Sequence, residues 1–318
     1  MYLGKDTATQ VEPQKLRKVA LAKRVGTFLC GKNPPAELDA VTALANLLAR
    51  DVETSVRAML AFELRTSTQV PKDLAIKIAK DIEDVASPFL QETPVLTDED
   101  FAELVPALRE FARSAIARRD DLGTQTIDAL ITNGGKRSVT DLARNKNIKM
   151  TQDHLIAMIE RFDSHTPVLD ALARRVDLPM MVVESLVSRI SSAASGLLVK
   201  NYGLSASVAT EATQRARLST LFEKMRKSSK DQVRAFVTDL RAENRLDETL
   251  ILKAAEAKVI VFVEAAIALE AGITVGNARS VLKKGVSSKV VPLLRDAGIA
   301  RENMADMIRL IEECYRGK

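Results

Sequence analysis

The chain has no tryptophan, its aromatic content is 4%, and glycine is scarce at 13 of 318 residues. Few aromatics and few glycines argue against β-sandwiches and against the glycine-rich loops that cradle phosphates in nucleotide-dependent enzymes. Only two cysteines are present, Cys30 and Cys314, near opposite ends. They form neither a metal-ligand spacing nor a disulfide framework, so each reads as a free structural thiol. The two histidines, His154 and His165, are isolated and do not make a metal site. His154, early in a helix, is a conceivable phosphotransfer residue, but no surrounding Lys/Gly pattern supports that role; His165 reads as an exposed turn residue. No nucleophile-elbow, Walker-type or dinucleotide motif occurs. Carboxylate runs such as Asp98-Glu99-Asp100 and Glu312-Glu313 read as helix-start and surface charges. These readings predict no catalytic residue, no cofactor and no metal.

Long apolar runs are also missing. Met1-Tyr2-Leu3-Gly4-Lys5-Asp6 lacks the apolar core of a signal peptide. The most apolar stretch, Val259 to Leu269, is interrupted by Glu264 and is too short to span a bilayer. A cytoplasmic protein without a membrane partner is expected. What the chain does have is 46% hydrophobic and 28% charged residues, which excludes wholesale disorder. Its length exceeds one compact core, so two regions are expected. The net charge of +5 is a mild basic bias, below what a dedicated nucleic-acid binder usually carries.

The organising feature is a repeat, clearest at Leu172-Ala173-Arg174-Arg175-Val176-Asp177-Leu178-Pro179. Anchors equivalent to Leu178 are Val70, Leu96, Leu122, Ile148 and Leu204, spaced by 26, 26, 26, 30 and 26 residues in chain order. Six residues before each stands a first apolar anchor: Leu64, Leu90, Ile116, Leu142, Leu172 and Leu198. The pattern returns at Leu240/Leu246, Ile267/Ile273 and Leu293/Ile299. A fixed short period sets the architecture. Residues before each anchor pair are good helix formers, and the residue after it starts a helix: Pro71, Thr97, Pro179, Ser205, Asp247 or Thr274. Each unit therefore reads as two short helices that hide their apolar faces only by stacking on neighbouring units. The predicted fold is all-α, an α-solenoid of short HEAT-like helical hairpin repeats with a period of about 26 residues. The expected organisation is an N-terminal arm and capping helix over 1–35, a repeat region over 36–205, connecting long helices over 206–245, and a C-terminal repeat region over 246–318. The polar break Lys227-Ser228-Ser229-Lys230 is the candidate domain boundary.

One chemical regularity rides on the repeat. Two residues past the first anchor stand Arg118, Arg144, Arg174 and Lys200, and Arg119 and Arg175 add charge beside two of them. Stacking lines up equivalent positions, so these six form a candidate basic ladder. It reads either as a strip for acidic protein segments, phosphates or nucleic acid, or as cations offsetting the negative ends of helix dipoles. The flanking units carry Thr66 and Glu92 at this position, so the ladder is local. A second cluster, Arg215, Arg217, Lys224, Arg226, Lys227, Lys230 and Arg234, reads as a solvated helical face, with Phe222 and Phe236 at core spacing.

The stretch from Val11 to Leu204 resembles the alphaproteobacterial family DUF2336. The resemblance rests on Val19-Ala20-Leu21-Ala22-Lys23-Arg24, Leu96-Thr97-Asp98-Glu99-Asp100-Phe101 and the Leu-Ala-Arg-Arg units. Ala268-Leu269-Glu270-Ala271-Gly272-Ile273 is similar to it as well. The resemblance implies a bacterial cytoplasmic helical-repeat protein and supplies no catalytic residues. The expected function is a non-catalytic scaffold or adaptor binding a protein partner. The alternatives are backbone binding of nucleic acid, as in HEAT-like DNA-repair glycosylases, and an enzyme with an unrecognised site.

Overall fold

The structure is a computed structural model that describes residues 13–31, 34–203 and 205–316. Leu204 and the first twelve residues of the expected N-terminal arm lie outside the described residues. Among the described residues the chain is helical throughout, with no strand. It divides into two compact units, Met1–Arg175 and Val176–Lys318. The polar break at Lys227–Lys230 lies inside the second unit, where it joins two helices.

Unit 1 contains α1 (Pro13–Leu29), α2 (Pro35–Leu48), α3 (Thr54–Leu64), α4 (Lys72–Ala79), α5 (Glu83–Glu92) and α6 (Asp98–Leu104). After a 3-10 turn follow α7 (Glu110–Ala117), α8 (Thr124–Asn133), α9 (Lys136–Arg144), α10 (Gln152–Arg161) and α11 (Thr166–Ala173). The predicted successive helix pairs are there as α4/α5, α6/α7, α8/α9 and α10/α11. Their packing alternates: α1 on α3, α3 on α5, α5 on α7, α7 on α9 and α9 on α11, with α6 on α8 and α8 on α10 in the other row. The first anchors Leu64, Leu90, Ile116, Leu142 and Leu172 are all fully buried between these rows.

Polar contacts keep the same register. Asp98 at the start of α6 caps α8, its carboxylate accepting from the backbone N–H of Gln125 at 3.1 Å and of Thr126 at 3.2 Å. Glu110 at the start of α7 does the same for α9, accepting from Gly135 at 2.9 Å and Ser138 at 2.8 Å. An acidic side chain thus satisfies the orphan N–H groups of a helix one unit later. Glycine leaves room where the carboxylate arrives: a Cβ on Gly135 would stand 2.7 Å from Glu110 Oε1, and one on Gly123 2.3 Å from Asp98, so either would push the carboxylate aside.

Three carboxylates in unit 1 are held below the ordinary range: Asp51, by Lys18 and the Glu53 N–H, and with it Asp81 and Asp100. Burial alone would raise Asp81, but the fork from Arg57, at 2.7 and 3.0 Å, holds it below the ordinary carboxylate range. Burial likewise opposes ionisation of Asp100, and Lys72 with the Thr97 N–H overrides it. Depressed folded-state values mean that the unfolded chain binds protons more readily, so this stability is present above the unfolded value and lost on acidification. Urea midpoints are expected to fall between about pH 6 and about pH 3, and to fall less in Arg57→Gln, which lacks the Asp81 partner.

Unit 2 contains α12 (Met180–Tyr202), α13 (Ala206–Lys227), α14 (Lys230–Ala242), α15 (Glu248–Glu256), α16 (Ile260–Glu270), α17 (Val275–Lys284), α18 (Ser287–Asp296) and α19 (Met304–Arg316). Its core gathers Met180, Phe222, Phe236, Phe262, Leu294 and Met307. Glu264, which interrupts the apolar stretch of α16, is 3% exposed. Its carboxylate accepts from Arg279 Nε and Nη2 at 2.8 and 2.6 Å and from the Tyr315 hydroxyl at 2.6 Å. This ties α16, α17 and α19 together. Burial and the bond to Glu264 push the Tyr315 phenol well above its ordinary value.

The repeat departs from expectation after Pro179. A helix pair was expected there, and a single helix, α12, runs through instead. Leu198 is only half-buried, and Ile273 is 38% exposed. By length and composition, Met180–Lys200 would also suffice to cross a membrane, a stretch longer than Val259 to Leu269.

Candidate functional site

The six predicted ladder residues separate into three groups. Arg118 follows α7, Arg144 ends α9 and Arg174 follows α11, and these helices pack in that order. All three side chains reach solvent at neighbouring helix ends. Arg118 lies 3.8 Å from Asp141, which also accepts from the Ser114 hydroxyl, so its charge is partly offset. Arg144 and Arg174 make no side-chain hydrogen bond or ion pair among the described residues. With Lys146, Pro167, Asp170 and Ala171 they line a cleft of about 380 Å³. Three cations there face one carboxylate.

Arg119 and Arg175 leave the strip. Each is buried, at 5% and 4% exposure, one residue beyond an exposed arginine. A step of one residue turns a side chain by about 100° around a helix, enough to exchange solvent for the neighbouring unit. Arg119 donates to the Leu90 carbonyl at 2.8 Å and forks onto Asp121 at 2.8 and 2.7 Å. Arg175 donates to the Asn145 carbonyl at 2.5 Å and reaches those of Ala143 and Ile148. Ser67 and Asn145 occupy the same position in their units and act alike, Ser67 on the Leu29 carbonyl at 2.7 Å and Asn145 on those of Ala117 and Arg119. In four of the five units this position therefore satisfies carbonyls at the end of the preceding packed helix; in the fifth, buried Thr93 accepts from the Val95 N–H instead.

Lys200 is exposed, but it belongs to α12 of unit 2 and ends no hairpin. The exposed ladder within unit 1 thus has three rungs. Sequence reasoning missed Lys146 and Asp170, which complete the cleft. The signal for Lys146 was present in Arg144-Asn145-Lys146-Asn147, where two cations stand two residues apart.

The second basic cluster is largely neutralised. Arg215 pairs with Glu211, Arg217 with Glu184, Arg226 and Lys227 with Glu223, and Arg234 with Asp231. Phe222 and Phe236 are core residues. His154 is a buried structural residue: it closes the capping box of α10 from Thr151, and its Nε2 lies 3.1 Å from Asp128. The His165 ring lies edge-on to Phe162. Among the described residues no group of His, Cys, Asp and Glu has the geometry to hold a metal ion.

Against this geometry, a family model described as an uncharacterised protein conserved in bacteria, DUF2336, matches residues 85–318. The chain belongs to the DUF2336 family. The DUF2336 match opens within α5 and covers the exposed rungs Arg118, Arg144 and Arg174 and all of unit 2. No curated protein and no solved structure matches the chain.

Proposed function

We propose that this DUF2336 protein is a non-catalytic adaptor of α-solenoid, HEAT-like construction, and that it holds an acidic segment of a protein partner along the basic edge of unit 1. The observation that carries this reading is the pair Arg144 and Arg174, exposed and unpaired at adjacent helix ends beside a cleft. A guanidinium presents a planar fork that matches a carboxylate, so two of them on neighbouring units favour carboxylates at a matching spacing. Cations at helix C-termini also offset the macrodipole by about 0.3–1 kcal/mol, a contribution compatible with binding. The same edge suits phosphates. A nucleic-acid reading gains little from the rest of the molecule, with its net charge of +5 and no tryptophan for base stacking.

Capture from a bacterial lysate tests the proposal. Wild type is expected to retain a protein that Arg144→Glu combined with Arg174→Glu does not retain, with both chains showing the same helix content. Equal capture by the two would remove the edge from the account. Material lost on nuclease treatment would transfer the edge to nucleic acid.

A further inference from the structure

The hairpin α12–α13 is built differently from every other hairpin in the described chain. Its helices run 23 and 22 residues, against 7–17 residues for the other α-helices. The first turns of α12 are anchored: Met180 and Met181 enter the core of unit 2, and buried Glu184 pairs with Arg217 and Arg245. From Val187 to Lys200, the residues of α12 whose burial is described beyond Leu186, none is buried.

That distal half lines its cleft with small polar groups and exposes apolar ones. The cleft between α12 and α13, about 280 Å³, is lined by Ser188, Ser191, Ser192 and Ser195 of α12 and by Thr210 and Thr213 of α13. Ile190 is 54% exposed, Leu197 56%, Val199 38% and Val208, on α13, 52%. Ile190, Ala193 and Leu197 share one stripe of α12, at spacings of three and four residues. From Ile190 to Thr210 the only charged residue is Lys200. A two-helix ribbon of this kind has half the faces of a four-helix bundle and leaves its apolar stripe in water.

We propose that this hairpin docks on the same hairpin of a second copy of the chain, forming a four-helix bundle across the dimer. Three observations select that occupant. Lys200 is the one charge between Ile190 and Thr210, and Glu211 and Arg215 beyond it pair with each other, so little repulsion stands between like surfaces, as a two-fold contact requires. The part of α12 beyond its last buried residue, described over 187–200, is about 21 Å long, and two helices side by side are about 20 Å wide. That gives about 400 Å² per copy and about 800 Å² in all, the size of a weak, transient contact. A lipid bilayer fits less well. The exposed apolar residues run only from Ile190 to Val199, about 14 Å against a core of about 30 Å, and α13 carries Glu211 and Arg215 beside them.

Sedimentation velocity of the full chain tests this. The average mass is expected to climb from one chain towards two between about 1 and 100 µM, the affinity an interface of this area supports. Leu197→Asp with Val208→Asp, and separately Ile190→Asp, should hold the mass at one chain throughout while leaving circular dichroism unchanged, since these side chains are exposed. A wild-type chain that stays monomeric over the whole range would overturn the proposal. So would a dimer that both sets of variants leave intact, or a monomer that floats with phosphatidylcholine vesicles through this face.

Discussion

Leu172→Ala is expected to destabilise the protein by about 2–5 kcal/mol, and Leu198→Ala by less than about 1 kcal/mol. The two leucines hold the same place in the sequence repeat, six residues before Leu178 and Leu204. Leu172 is fully buried where α11 packs on α9. Its truncation removes apolar contacts and leaves a cavity that close-packed helices cannot collapse around. Leu198 lies on the unburied half of α12 and loses little. Urea unfolding of the two variants checks the contrast. Equal costs would show that the repeat register continues through α12.

Arg119→Met and Arg175→Met are each expected to cost about 2–4 kcal/mol, and Arg118→Met and Arg174→Met less than about 0.5 kcal/mol. Methionine keeps most of the aliphatic bulk and removes the donors. Without Arg175 the carbonyls of Ala143 and Asn145 lose its hydrogen bonds while still shielded from water. Without Arg119 the Leu90 carbonyl loses its donor, and the guanidinium 4.7 Å from the Phe101 ring centroid goes too. An unsatisfied buried carbonyl costs more than the net value of the bond it lost. Thermal unfolding of the four variants separates the groups. A large loss from Arg174→Met would mean that the outer arginines also stabilise the fold rather than stand free.

The helix pairs from α4 to α11 were legible because each carries both halves of a local code, a helix-breaking junction and an apolar anchor at a fixed period. Asn133-Gly134-Gly135, for instance, was read as a turn and separates α8 from α9. The same period misled at α12. Leu198 supplies the anchor, but the sequence around Val187-Ser188-Arg189-Ile190 contains nothing that stops a helix, so the chain continues as one rod. The spacing of leucines was read without asking for the break between them. In the site, Arg118-Arg119 and Arg174-Arg175 look interchangeable as letters, and only the phase of the helix end sends one outward and one inward. A clue to that phase was available: the inward position holds Ser67, Thr93, Arg119, Asn145 and Arg175, all able to donate to a carbonyl. The exposed apolar residues of the α12–α13 hairpin were not legible, because their exposure depends on which face of each helix meets the other.

The basic edge is tested most directly by fluorescence anisotropy with two labelled probes, an Asp/Glu-rich decapeptide and a random-sequence DNA duplex, each at two salt concentrations. The account predicts that the peptide binds wild type at low salt, weakens as salt rises, and fails to bind Arg144→Glu with Arg174→Glu at unchanged thermal stability. Peptide binding that is absent, or that the double variant retains, would contradict it. Tighter binding of the duplex, falling steeply with salt, would contradict the choice of a protein partner in favour of phosphate contacts.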